Sequence, residues 1–423
     1  MRFCLKKIAV ALIFVLICTA FMGCTDNEIK VLDAMLKSTT MFSWEEDTEI
    51  SIHFDVKGLT QEEQLEFEMI KEMIDRSSLN LNQKMLRNEE NTVIQQEIQG
   101  LLQLADMKMD FGIWIDMDLN SEEPFCKQII KMPSMFTGFY GSTDKPYMVL
   151  DLFSLMSEGN EEAEITSNVK EELSSLMNSS YDINEAAMVL IKDYAKSFKP
   201  GMTVIKRNGS KKVEGISLPK YRLEIGDQSG KRLLRHVVNN LLENEDVYHL
   251  IRNQMLIQEK MTSINPLYSN MEEDIENDIP NETDIQEFKT SFNQFMDEMD
   301  NMNILGSGGI VVDYVINNDG YIVYESGIID IELNINELEK VMVEEDENTE
   351  PEKSNGTIQL EITYTTETKN INKDITIEIP ELTDENAFNI EDMETSYERE
   401  DAEDVIDDSR DISVYVNDMN TAF

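Results

Sequence analysis

The chain has 423 residues, of which 84 are acidic and 36 basic, giving a net charge of −48. Nucleic-acid binding needs clustered Lys and Arg to neutralise phosphate, and a balance this acidic argues against that partner. The length suffices for one large domain or two modest ones.

The elements begin with a leader. Arg2, Lys6 and Lys7 form a positive start, and Ile8 to Ala20 is an apolar run whose only polar side chain is Thr19. That is secretory length, short of the ~20 apolar residues that a spanning helix needs. Gly23, Cys24, Thr25 and Asp26 then break the run. The arrangement resembles a bacterial lipoprotein leader. The resemblance implies that residues 1–23 are a signal peptide and that Cys24 is lipidated and becomes the first residue. Gly23 and Cys24 match that pattern, while Phe21 replaces the usual leucine and Met22 the usual small residue. An ordinary cleaved leader and a short uncleaved anchor are the competing readings. Two or more acyl chains, at about 0.8 kcal/mol per buried methylene, hold a protein on a bilayer where one is marginal. The expected location is extracytoplasmic, on the outer face of the cytoplasmic membrane.

Cysteine usage follows from the leader. Cys4 and Cys18 leave with it. A lipidated Cys24 leaves Cys126 without an intrachain partner, whereas an unacylated Cys24 permits a Cys24–Cys126 bridge.

Past the leader, Ile29, Leu32, Met35 and Leu36 predict one face of a first helix, and residues 24–48 form the lipidated N-terminus with that helix. A curved-sheet and helical-lid domain is expected over 49–380. EISIHFDV places Ile50, Ile52, Phe54 and Val56 on one side of a strand. Thr60 to Glu63 reads as a capping box ahead of a stripe of Leu65, Met69, Met73 and Ile74. SLNLNQKML and TVIQQEIQG are further strands. In DMKMDFGIWIDMDL, Met107, Met109, Phe111, Ile113, Ile115, Met117 and Leu119 face one way. Asp106, Lys108, Asp110, Asp116 and Asp118 face the other, interrupted by Trp114, so one sheet face is wet and one covered. KQIIKMP and PYMVLDL continue the meander.

The middle is helical. YDINEAAMVLIKDYAKSFKPG ends at Pro200-Gly201, and SGKRLLRHVVNNLLENED turns Leu233, Leu234, Val237, Val238, Leu241 and Leu242 inward. TVIKR and YRLEIG are strands between them. Amphipathic stretches follow near Val247 to Met261 and through Ile285, Phe288, Phe292, Phe295 and Met299. GIVVDYVI, a turn at NNDG and YIVYESGIIDIELNI return to strand. EEDENTEPE is a solvated insert, and GTIQLEITYTTETKN and ITIEIP close the sheet. Residues 381–423 hold fifteen acids and two bases and read as an acidic, mostly disordered tail.

The predicted class is α+β: one large curved antiparallel sheet of about eleven strands, a half-barrel packed on a helical lid. From Asn27 to Phe388 this order is similar to half-barrel lipoproteins and lipoprotein carriers of bacterial envelopes, of the LolA and LppX kind. WIDMDLN, KQIIKMP with YMVLDL, LLRHVVNNLLENED and YVINNDGYIVYESG also resemble uncharacterised surface lipoproteins of Gram-positive anaerobes.

No catalytic pattern emerges, so an enzyme is not expected, and neither is a cofactor or a metal. His53, His236 and His249 lack ligand spacing. GSGG at Gly306 to Gly309 is neither a nucleophile elbow nor a dinucleotide loop and reads as a turn. Asn317, Asp319 and Gly320 match three calcium-loop positions, but Val315 and Ser326 fall where ligands belong. Met296, Met299 and Met302 have thioether spacing for a cuprous ion, yet the Phe292–Met299 stripe already reads as core. Lys231 to His236 is the outer face of a helix that offsets acids.

The leading expectation is a non-enzymatic binder or carrier of a hydrophobic ligand (a lipid, an acyl chain or an apolar peptide) held by the membrane anchor. Its cleft would be lined by Met107, Met109, Phe111, Ile113 and Ile115, facing Phe292, Phe295 and Met299. The alternative is a surface scaffold or sensor ectodomain whose core is filled by its own side chains. The residues name no protein partner.

Overall fold

The computed structural model describes residues 25–121, 124–133, 145–153, 201–244, 282–335 and 356–389, with a few helical residues between 175 and 253. Helices α1 (Asp26–Ser38), α2 (Gln61–Asp75), α3 (Asp227–Leu241) and α4 (Glu282–Met299) accompany a twelve-stranded open sheet. Its strands are β1 (Ser43–Lys57), β2 (Ser78–Arg87), β3 (Val93–Leu104), β4 (Met107–Asp118), β5 (Phe125–Lys131) and β6 (Tyr147–Asp151), then β7 (Ile205–Val213), β8 (Ile216–Ile225), β9 (Leu305–Ile316), β10 (Ile322–Asn334), β11 (Thr357–Lys369) and β12 (Ala387–Asn389). The order across the sheet is β12-β6-β5-β4-β3-β2-β1-β11-β10-β9-β8-β7.

Neighbouring strands are antiparallel throughout, except that β12 runs parallel to β6. The sheet is therefore mixed rather than wholly antiparallel. The expected eleven strands become twelve, because β12 forms beyond residue 380, where the tail was expected to begin. Phe388 is 5% exposed there, so the ordered chain reaches past that boundary. β1 likewise starts at Ser43, inside the segment assigned to the first helix.

Register follows side-chain alternation. Ile50, Ile52, Phe54 and Val56 stand opposite Tyr364, Ile362, Leu360 and Ile358, so the apolar sides of β1 and β11 share one face. Continuing outward, Ile50 pairs with Leu79, Leu79 with Leu102, and Leu102 with Met109. The opposite face carries Asp47, Asn82, Gln99, Gly112 and Lys131 as one row.

The main core lies at the β7 end, under α1, α3 and α4. Val237, Leu223 and Ile205 are at most 1% exposed within a cluster that includes Val31, Ala34, Tyr221, Val312 and Tyr314. The inward residues expected on α3 are all found there, as are Phe288 and Phe292 of α4. On α1 the buried side is Val31, Leu32 and Ala34, while Ile29 is 39% exposed. A buried carboxylate fixes that rotation. Glu28 is 0% exposed; its Oε2 accepts the Thr25 N–H (3.0 Å) and hydroxyl (2.6 Å), and its Oε1 accepts the Val204 N–H (2.9 Å). Three more expectations change. On α2 the inward side is Phe67, Lys71 and Ile74, because Phe67 packs on Phe54 and Lys71 pairs with Asp55. Leu65 and Met73 face solvent.

GSGG lies within β9 rather than in a turn. Its glycines let the Asp330 carboxylate approach and accept the Gly308 N–H (2.7 Å), and Gly309 adopts φ +62 against the Ile225 carbonyl, where a Cβ would clash. ITIEIP does not join the sheet. It belongs to a strap that leaves β11 beside Ser43, through the Ser43 hydroxyl bonded to the Lys373 carbonyl, and rejoins at β6. Its Ile377 is 8% exposed. The insert EEDENTEPE, most of YDINEAAMVLIKDYAKSFKPG and most of the stretch near Val247 to Met261 fall outside the described residues, though Val247 itself is helical and buried in the main core.

Candidate functional site

The expected cleft divides into two parts. Met107, Met109, Phe111, Ile113 and Ile115 do share the apolar face of β4, with Met109 7% and Met107 53% exposed. Phe292 instead packs into the α1–α3 core, Met299 is 9% exposed, and Phe295 is 44% exposed. The structure does not bring the two sets together. β3, β2, β1, β11 and β10 separate β4 from β9, roughly 29 Å along the sheet at about 4.8 Å per strand. What fixes α4 elsewhere is polar pairing with α3: Asn239 and Asn293 exchange amide hydrogen bonds (2.9 and 2.8 Å), and Arg235 reaches Asp297 and Asp300. Those pairs, with Lys231 on Asp227, show the basic run of α3 offsetting acids, but Lys231 is 4% exposed and so lies on the inner rather than the outer face of the helix, where Asp227 and the Met302 carbonyl hold it. Met296, Met299 and Met302 are all buried.

The other half of the apolar face is built from aliphatic rows. Ile329, Ile362 and Ile52 form one, Ile331, Leu360 and Phe54 the next, and Leu333, Ile358 and Val56 a third. All nine are outside the fully buried class, and Ile52 is 37% exposed. Helix α2 rests on one end of this surface, with the Phe67 and Phe54 rings 5.0 Å apart.

A polar island interrupts the same face. Thr48 and Thr366 share a hydroxyl hydrogen bond (3.0 Å), Thr368 donates to Glu46, and Tyr364 donates to Glu325. Burial pushes the Glu46 carboxyl above its ordinary value, against the lowering pull of Thr368 and Thr48. Burial also raises Glu325, with Glu46 adding repulsion. A raised folded-state value means that the native state holds protons the unfolded chain has released. These groups therefore favour folding at low pH, and that contribution is lost as pH rises above about 4.5. Glu46→Gln and Glu325→Gln should each raise the unfolding midpoint at pH 7 and change it little at pH 4. Thermal melts across that range read the difference.

On the opposite face lies an open groove of about 750 Å³ lined by Asp47, Asn82, Gln99, Asp110, Lys131 and Tyr147, among others. Lys131 pairs with Asp110, and Asn82 donates to Asp47 (2.7 Å). Beside it, Glu97, Trp114, Ile129 and Val149 form a cross-strand row, each no more than 7% exposed. The Trp114 ring lies over Gly112, where a Cβ would sit 2.4 Å from it. Its indole Nε1 is buried without a hydrogen-bond partner among the described residues. Glu97 is satisfied by Lys84 (3.1 Å) and Gln99. The wet face expected from Asp110, Asp116 and Asp118 is therefore partly covered: Asp116 accepts from Gln95, and Asp118 caps the turn at Asn120 and Ser121.

Cys24 lies outside the described residues, directly before Thr25, the N-cap of α1. Cys126 is a free, half-buried thiol, and burial, with Asp151 and Asp116 adding to it, pushes its pKa up to about 11. It should react with maleimide far more slowly than a model thiol at pH 7, since so little thiolate is present. Mass spectrometry of native against denatured protein reads that difference. His53 pairs with Asp75 at 2.7 Å. Among the described residues, no three His, Cys, Asp or Glu side chains converge as metal ligands.

Sequence reasoning overlooked one feature. Residues 194–213 contain six basic side chains and no acidic one, a reversal visible from a running charge count. Comparison of the chain with protein-family models, curated proteins and solved structures gives no match.

Proposed function

We propose that the protein is a lipid-anchored extracytoplasmic binder of a hydrophobic ligand such as a lipid, an acyl chain or an apolar peptide, with no catalytic role. The observation that carries this reading is the half-exposed aliphatic surface of β10, β11, β1 and β2, continued by Leu102 and Met109. A contiguous apolar sheet face left partly in water gains stability from any apolar molecule that covers it. The ligand surface of this proposal is Ile52, Leu360, Leu79, Leu102 and Met107, ending at Met109, which is already covered at 7% exposure. Phe292 and Met299 are not included, since they serve the core beneath α3 and α4. The half-barrel shape and moving helical lid remain part of the proposal, with α2 over Phe54 as the lid candidate.

Native mass spectrometry of the purified protein tests this reading. A co-purifying apolar molecule is expected, and Ile52→Asp with Leu102→Asp should release it. A ligand-free wild-type mass that stays unchanged when fatty acid or phospholipid is offered would reject the carrier role.

A surface scaffold or sensor ectodomain is the second reading. The buried cluster around Val237, Leu223 and Phe292 favours it, because the apolar faces of α1, α3 and α4 are covered there by the chain's own side chains. The anchor has its own test: Cys24→Ala should move the protein from the membrane fraction to the soluble fraction, and unchanged fractionation would sink the lipid assignment.

A further inference from the structure

One edge of the sheet carries a cluster of basic side chains on a strand without an acid. Four of the six basic residues in the acid-free window, Lys206, Arg207, Lys211 and Lys212, lie on β7, the last strand of the sheet. Lys206, Arg207 and Lys212 are exposed, and among the described residues no acid pairs with them. Lys211 lies over the Tyr324 ring, 3.1 Å from its centroid. Neighbouring β8 adds Lys220 and Arg222, both bound to Asp313. The acids closest in the chain are Glu214, between β7 and β8, and Glu224, 3.9 Å from Arg222.

The same edge meets the start of the ordered chain. Glu28 of α1 accepts the N–H groups of Val204 and Ile205, where β7 begins, and holds the Thr25 N–H and hydroxyl with its other oxygen. Thr25 is therefore already part of a capped helix, and no flexible linker separates it from Cys24. Acyl chains on Cys24 would bring the bilayer within one helical turn of β7.

We infer that β7 and the start of α1 form the membrane-facing edge of the domain, with Lys206, Arg207 and Lys212 against anionic phospholipid headgroups. This inference rests on the lipid reading of Cys24. Asp26 in the first turn of α1 and Glu214 beside β7 are exposed acids on this edge, outnumbered there by Lys206, Arg207, Lys211 and Lys212, and charges more than about 8 Å away are largely screened at physiological salt. A lipid anchor reinforced by basic side chains is the two-signal arrangement that makes membrane attachment stable. Lysines on an open edge also discourage pairing with another chain, and the bilayer contact would cover that edge.

The test uses the full-length protein extracted from membranes and reconstituted into phosphatidylcholine vesicles with or without phosphatidylglycerol. Amide hydrogen exchange across 205–213 should slow by about fivefold or more on the anionic vesicles, since outward N–H groups of an edge strand are otherwise open to water. Lys206→Glu, Arg207→Glu and Lys212→Glu combined should abolish the difference while leaving exchange in α3 unchanged. Equal exchange on the two vesicle types would overturn the inference. Intact mass of the same sample reads the anchor separately, and a chain lacking acyl groups overturns the lipid reading alone. The vesicle comparison is then made with excess vesicles, where equal exchange again rejects the basic edge.

Discussion

Replacing Glu28 with alanine is expected to lower the unfolding free energy by about 3 kcal/mol, measured by denaturant titration. One fully buried carboxylate serves two segments that are 176 residues apart in sequence, and both depend on it for hydrogen bonding. Alanine leaves the Val204 N–H without an acceptor in a place water does not reach, at a cost of about 1–3 kcal/mol. It also removes the reciprocal cap with Thr25, which adds about 1 kcal/mol. Glu28→Gln should cost less, because its carbonyl oxygen can still accept from Val204 while its amide nitrogen faces the Thr25 donors poorly. If alanine and glutamine were equally mild, the carboxylate would not be what fastens α1 to β7.

Removing the Asp313 side chain should have a similar effect, about 3 kcal/mol for Asp313→Ala. Arg222 donates to both carboxylate oxygens at 2.7 Å, and Lys220 adds a bond at 2.9 Å. The loss falls at the low end for a buried ion cluster because Arg222 is 35% exposed and water screens it. Burial would raise the Asp313 carboxyl, but Arg222 and Lys220 outweigh it and hold the group below its ordinary value. The sign follows: a carboxyl lowered in the folded state contributes stability above about pH 3.8, and that contribution is lost as pH falls further. Asp313→Asn should therefore flatten the acid limb of the stability curve. Because Glu46 and Glu325 act in the opposite direction, the wild-type profile should peak between the two regimes.

Alternation made most of the sheet legible. Every strand from β1 to β6 was readable because Ile50 to Val56 or Met107 to Met117 switch sides residue by residue, and period two has no other simple meaning. The helix faces were harder to read. Leu65, Met73 and Ile29 look inward by hydrophobicity, yet Lys71 and Glu28 point inward instead, because specific acids and N–H groups wait for them. A hydrophobic pattern does not record such pairings. The candidate site failed in half for a related reason. The alternation of β4 gave the shared face of Met107 to Ile115, but nothing in the spacing of Phe292 and Met299 says which strands they cover. That information lies in strand order, and the order inserts β11 between β1 and β10. The basic run was legible as charge, and its place on the edge strand and its closeness to Thr25 required the fold.

The place of β11 also sets when the sheet can be completed. As the chain emerges from its N-terminus, the β1–β6 meander is present by Asp151 and β7–β10 by Asn334. Neither block can pair with the other. The missing strand, Thr357–Lys369, bonds to β1 through partners such as Glu45 and Lys369 and to β10 through Tyr324 and Glu367. Until it arrives, two isoleucine-rich edges stand open, each a template for pairing with a neighbouring chain. A late portion of the chain, with only the strap, β12 and the acidic C-terminal segment after it, is thus the joint between the two blocks. A product cut short before residue 357 would be two unjoined sheets prone to clump, rather than a protein that has merely lost its tail.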